Sequence, residues 1–185
     1  MTDVGSDDEA YDRLRRRVLW AMPTGLFVVG SRAGDRRNLM TANWVMQVAT
    51  TPKLVAVAVE FDSVTHGLMA AGGAFTVSLL ARSERALLRR FVKPVRSVEL
   101  DGAGGAESLQ GEPVHEAPGR PPVLAAAVAW LDCEIRSEAT WDGDGAASHV
   151  LVVGEVVGVG ESDRLGGAGD DAVLTMTDTR MNYGG

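Results

Sequence analysis

The sequence predicts a mostly β protein, an antiparallel barrel of modest size with an N-terminal helix and short helices at the barrel mouths. Three observations carry this. About six runs with strand texture follow one another across short polar turns. Helical periodicity is confined to the N-terminus and two short internal segments. Only two pairs of strands are separated by anything helical, which disfavours a doubly wound parallel sheet, where each parallel pair needs a crossover.

The elements follow in order. "SDDE" has capping-box spacing, with Ser6 and Glu9 as the reciprocal pair. Tyr11, Leu14, Val18 and Met22 then recur at helical spacing, predicting an amphipathic helix within residues 1–21 whose Arg13 and Arg15 to Arg17 form a solvated face. "MPTG" ends it. Strand texture begins at "LFVVGS", passes a polar turn at "RAGDRR", and continues through "NLMTANWVMQVAT", "KLVAVAVE" and "AFTVSLL". One short helix starts near "DSVTH" and another at "SERALLRRF", the latter N-capped by Ser83. Residues 94–122, rich in proline and glycine, read as a long irregular excursion. Two further strands, "AAVAWLDCEIRSEA" and "HVLVVGEVVGVGE", flank the turn "TWDGDGAAS". The domain is expected over 22–161, with 162–185 a flexible tail.

At 185 residues the chain suits one domain with a substantial core. A formal charge of -7 with scattered Lys and Arg offers no footprint for nucleic acid or an anionic membrane. Nothing resembles a signal peptide or a membrane span, so a cytoplasmic protein is expected. Cys133 is the single cysteine and alternates with the apolar set of its strand, which predicts a buried, inert thiol. His66, His115 and His149 are the only histidines, and none has metal-ligand spacing, so no metal is expected. No GxGxxG, GxxxxGK[ST] or GxSxG motif occurs. Chemistry, if present, is then carried by a cofactor, which asks the protein mainly for placement and a few hydrogen bonds.

"NLMTANWVMQVAT" sharpens this. As one extended strand it puts Met40, Ala42, Trp44, Met46 and Val48 on one face, and Thr41, Asn43, Val45 and Gln47 on the other. That second face carries hydrogen-bonding groups, for a ligand or for the mouth of the barrel. "DSVTH" adds a strand end feeding a helix whose first turn presents Ser63, Thr65 and His66 beside free amides, a ready anion site or an ordinary cap.

The order of "MPTGLFVVGS", "NLMTANWVMQVATTPKLVAVAVE", "DSVTHGLMAAGGAFTVSLL", "LDCEI" and "SHVLVVGEVVGV", spanning about Ala21 to Gly160, resembles the flavin reductase-like family of FMN-binding split barrels. The resemblance implies a six-stranded antiparallel Greek-key split barrel that forms a homodimer, with the tail returning to it. It implies FMN, or FAD, held by Thr41, Ala42, Asn43, Trp44, Val45 and Gln47 along the ring and ribityl chain. Asp62, Ser63, Thr65 and His66 are implied at the phosphate side, with Phe91 and Lys93 completing it. The activity implied is hydride transfer from NADH or NADPH to the flavin, with a flavin-dependent monooxygenase as possible recipient of the reduced flavin. A non-enzymatic FMN electron carrier is the alternative. Reductases of the family carry Gly-Asp-His before the last long strand, with the His near the nicotinamide. Here the run is "AASH", so His149 is kept while Ala147 and Ser148 replace its neighbours.

Overall fold

The stretch expected as one strand is two. In the computed structural model, which describes residues 4–141 and 147–179 with side chains from Asp8 onward, β1 (Phe27–Ala33) turns into β2 (Arg36–Ala42). Pairing stops at Asn43 and Trp44, then resumes as β3 (Val45–Thr50) and β4 (Lys53–Glu60). A helix, preceded in the chain by the N-terminal α1 (Val4–Trp20) and so labelled α2 (Val64–Gly72), leads to β5 (Ala74–Leu79). Four short strands follow, β6 (Val98–Leu100), β7 (Ala106–Leu109), β8 (Glu112–His115) and β9 (Val123–Leu124), then the long pair β10 (Ala129–Ala139) and β11 (His149–Glu161).

Seven strands form the main sheet in the order β2-β1-β5-β10-β11-β4-β3, with all neighbours antiparallel. The break at Asn43 is why seven strands stand where six were expected. It also closes the sheet. Laid flat, six inter-strand steps would part β2 from β3 by about 29 Å. Ala42 and Val45 are only three Cα steps apart, a reach of about 11 Å. The sheet must therefore roll until its two edges meet at this link. Register shifts at Asp132/Cys133 and Ile135/Ser137 let β10 and β11 bend around the roll. Inside, Val29, Val57, Phe75, Val77, Cys133 and Val152 pack together, none more than 1% exposed. A Cβ at Gly154 would stand 2.5 Å from the Phe75 ring, so the bare backbone there makes room for that ring.

The excursion is ordered rather than irregular. β6 to β9 form a second, four-stranded sheet, and Leu109, Val114 and Leu124 pack with Leu26, Leu80, Leu88 and Phe91 into a second core outside the barrel. Its short strands are hidden in the sequence because proline and glycine punctuate them every few residues. One carboxylate fastens it. Arg32 and Arg37 face each other directly across β1 and β2, an arrangement of like charges that costs stability by itself. Glu116 answers both: its carboxylate accepts from Arg32 Nη1 and, at 2.7 Å, from Arg37 Nε. It also accepts from the Ala106 amide at 2.7 Å, while Arg37 donates to the Asp35 and Gly104 carbonyls. The Arg37 and Glu116 side chains are each 1% exposed.

Other expectations change in detail. α1 begins at Val4, so Ser6 lies inside the helix rather than at its start; the Ser6 side chain is outside the described residues. Tyr11, Leu14, Val18 and Met22 do form a stripe, yet all four are exposed. "SERALLRRF" is two 3-10 turns, Arg82–Glu84 and Leu87–Phe91, and Ser83 caps neither; its hydroxyl accepts from Arg164 at 2.7 Å. The expected flexible tail is anchored as far as Thr179. Leu174 is fully buried, its amide donates to Leu80 and its carbonyl accepts from Leu26. Asp178 pairs with Arg82 at 2.9 Å.

Two outcomes follow from this packing. Glu116→Ala leaves two arginines uncompensated against the barrel and is expected to cost about 3 to 5 kcal/mol, read as a large fall in the urea midpoint. An unchanged midpoint would mean that the second sheet does not need this carboxylate. Burial, helped by Asp132, pushes the Cys133 thiol up to about 12. At pH 8 it should therefore ignore a thiol-specific reagent until the protein is unfolded in denaturant.

Candidate functional site

Cross-strand register gathers the candidate residues at one end of the barrel. The Ala58 amide donates to the Trp44 carbonyl at 3.0 Å, so the link between β2 and β3 lies beside the end of β4. Two residues on, Glu60 stands opposite His149, the first residue of β11. The Phe61 amide then donates to the Ser148 carbonyl at 3.0 Å. Trp44, Glu60, Phe61, Ser148 and His149 thus share one rim, and α2 rises from it.

Each side chain has a definable state. Asn43 is only 9% exposed, yet its amide has no hydrogen-bond partner among the described residues. Trp44 and Phe61 leave apolar surface open, at 40% and 52% exposure. Trp44 meets the His149 ring in a T-shaped contact, with centroids 4.9 Å apart and planes at 72°. Ser148 Oγ lies 2.8 Å from His149 Nδ1. Ser63 is a true N-cap: its Oγ accepts from the His66 amide at 3.1 Å. His66 Nδ1 lies 2.7 Å from the Phe61 carbonyl, which only accepts, so that nitrogen carries a proton. Its Nε2 faces Glu138 at 3.3 Å. Both ring nitrogens are spent within the chain, and the ring flanks Phe61 at 5.3 Å.

Other candidates are differently placed. The Thr41 hydroxyl donates to the Leu88 carbonyl at 2.7 Å and holds β2 to the second 3-10 turn. Thr65 is buried and accepts from Asn38 at 2.9 Å, while Asn38 Oδ1 takes the Val95 amide at 2.8 Å. Phe91 is a correction: it is fully buried in the second core and presents no face to a ligand, because the 3-10 turn points it inward. Lys93 is exposed. Ala42 is buried, Val45 half-buried and Asp62 exposed. Gln47 is exposed and curls back to the Ala49 carbonyl at 3.1 Å. Met46 and Val48, expected on the apolar face with Ala42, are exposed, since the break places them on a different edge of the sheet.

Phe61, Ser148 and Glu138 were not legible as site residues. Only the pairing of β4 with β11, and of His66 with β10, brings them to the rim. An open cleft of about 560 Å³ between the small sheet and β5 and β10 contains none of the predicted site residues. Its Arg120 and Asp132 satisfy each other through bonds of 2.8 and 2.6 Å, so they leave little for a ligand. Among the described residues no group of three metal-ligating side chains occurs, and no helix is long and apolar enough to cross a membrane.

The chain is 32% identical over 147 residues to an NADH-dependent FAD reductase of Streptomyces globisporus, covering 79% of this chain and 75% of that protein. The solved structure of the Streptomyces globisporus C-1027 NADH:FAD oxidoreductase is similar at a TM-score of 0.63 with 30% identity, over 82% of this chain and 84% of that one. A diflavin flavoprotein of a Nostoc species is 30% identical over 122 residues, 65% of this chain; the chain spans only 20% of that relative's length. The profile of the flavin reductase like domain matches residues 19–184, nearly the whole chain, which therefore belongs to the flavin reductase family.

Proposed function

We propose that the chain is an NAD(P)H-dependent flavin oxidoreductase that holds FMN or FAD at the rim where β2 and β3 part. The observation that carries the reading is Asn43, a largely buried residue whose side-chain amide has no partner among the described residues, set at the break in the sheet next to the exposed Trp44. An isoalloxazine ring fits that setting, since its edge alternates hydrogen-bond donors and acceptors and its faces are apolar. A bound flavin supplies two-electron acceptance from a nicotinamide. The chain's own part is placement. Asn43 meets the polar edge of the ring, Trp44 and Phe61 offer apolar surface to its faces, and the first turn of α2 beside Ser63 and Asp62 receives the ribityl phosphate end. Thr41 and Thr65, whose hydroxyls are engaged within the chain, hold β2 and α2 in place around that site. His149 lies on the open side and orients the nicotinamide. The Streptomyces relative makes NADH and FAD the first pair to assay, and a flavin-dependent monooxygenase is the proposed recipient of the reduced flavin.

A homodimer completes this reading. Met46 and Val153 flank the buried Ala56 across β3, β4 and β11, and Ala58 and Leu151 form the next cross-strand row. Met46 at 65% and Leu151 at 43% stay exposed in the single chain, as does the stripe of α1. An apolar area of this extent in a soluble protein marks an interface, and a second copy offers the matching surface about a two-fold axis.

Three measurements test the proposal. Stopped-flow mixing with NADH or NADPH should reduce the bound flavin in single turnover; failure with both at millimolar concentration, alongside rapid reduction by a chemical reductant, would leave a flavin-bearing electron carrier instead. Asn43→Ala should weaken flavin about ten-fold, as loss of one or two hydrogen bonds in a buried site requires, whereas a mere packing role would leave fluorescence titrations unchanged. Light scattering at about 10 micromolar should return a dimer, and Met46→Glu a monomer, because a charge buried in an apolar interface is costly.

A further inference from the structure

His149 is held by two contacts that do not depend on charge. On one side Ser148 Oγ lies 2.8 Å from Nδ1. On the other Trp44 crosses the ring at 72°. Both holders are themselves pinned by backbone bonds to the end of β4: the Ser148 carbonyl takes the Phe61 amide, and the Trp44 carbonyl takes the Ala58 amide, each at 3.0 Å. His149 in turn sits across from Glu60 in the ladder. The ring is thus fastened to three points of one rigid strand end, two of them through neighbours.

The chemistry of the Nδ1 partner decides what the ring can do. A carboxylate only accepts, so it would demand Nδ1–H and would favour the imidazolium. A serine hydroxyl both donates and accepts, so it satisfies either neutral tautomer and adds no negative charge. Nε2 is then free to donate or to accept toward a neutral ligand. Among the described residues the titratable groups facing this ring are Glu60 from β4 and, beyond Phe61, the His66 and Glu138 pair from α2 and β10. Glu138 already faces His66, which leaves Glu60 as the one carboxylate opposite the ring.

We infer that Ser148 and Trp44 are positioning residues that fix the orientation of the His149 ring, so that its Nε2 is presented as a hydrogen-bonding group to the nicotinamide carboxamide. This rests on the reading of His149 as the nicotinamide-side residue. Loss of the Ser148 hydrogen bond loosens the ring without touching the flavin. It should raise KM for the nicotinamide about five-fold, the equivalent of one neutral hydrogen bond, with flavin affinity unchanged.

The experiment pairs kinetics with nitrogen-15 NMR of the imidazole rings in wild type, Ser148→Ala, Ser148→Thr and Trp44→Phe. In the resting protein, Ser148→Ala should move the His149 ring resonances and shift its tautomer balance, and Ser148→Thr should restore both. With NADH or NADPH, Ser148→Ala and Trp44→Phe should raise KM, Ser148→Thr should recover it, and Ser148→Ala should add nothing in a His149→Ala background. Ring resonances indifferent to Ser148, or full additivity of Ser148→Ala with His149→Ala, would overturn the inference. A protein that reduces flavin with neither nicotinamide overturns it through the underlying reading, and the NMR response to Ser148 would identify that as the point of failure.

Discussion

Two residues govern this molecule. Asn43 and Trp44 join the two edge strands of a seven-stranded sheet, and because the link is so short the sheet has to roll up around it. The same link interrupts the ladder, which is the only place where a sheet can turn a polar group away from its neighbours without filling a strand position. Asn43 is left buried with an open amide and Trp44 is left exposed over His149. The closure of the barrel and the opening of the site are therefore one structural event.

The rest of the architecture keeps that rim still. Inside the barrel, fully buried Val29, Phe75, Val77 and Val152 fill the roll, with Gly154 bare beneath the Phe75 ring. Outside, the small sheet and the tail cover β1 and β5 through Leu109, Leu124 and Leu174. The Glu116 carboxylate ties these layers together by neutralising Arg32 and Arg37 at once. Thr41 and Asn38 extend the same logic to the rim: each uses a side chain to pin β2, to Leu88 in one case and to Thr65 and Val95 in the other. The Thr41 and Thr65 hydroxyls, expected to face a ligand, are engaged within the chain.

Much of the fold was legible. α1, β1, β4, β5, β10 and β11 all lie where the patterns put them, and Ser63 caps α2 as its spacing requires. Such features are local, written in alternation, periodicity and capping within a few residues. The break at Asn43 left no local signal, because Met40 to Val48 alternate as one strand would. The four small strands of 94–122 were masked by their own turn residues. Of the residues that the proposed site draws together, Asn43, Trp44, Ser63 and His149 were candidates from the sequence, but Phe61, Ser148 and Glu138 were not.

By itself, then, the sequence determined β1, β4, β5, β10 and β11, the helices α1 and α2, the inert cysteine and the family, since each depends on short-range pattern or on motif order. Only the tertiary structure decided which polar groups are spent and which are free. Thr41 and Asn43 sit two residues apart and both carry hydrogen-bonding groups, yet the Thr41 hydroxyl is consumed by a carbonyl 47 positions away while the Asn43 amide has no hydrogen-bond partner among the described residues. His66 is bound to Glu138, 72 positions on, and His149 to its own neighbour. A hydrogen-bonding group is available to a ligand only when no partner of its own reaches it, and those partners come from strands brought alongside by register, which no stretch of sequence contains.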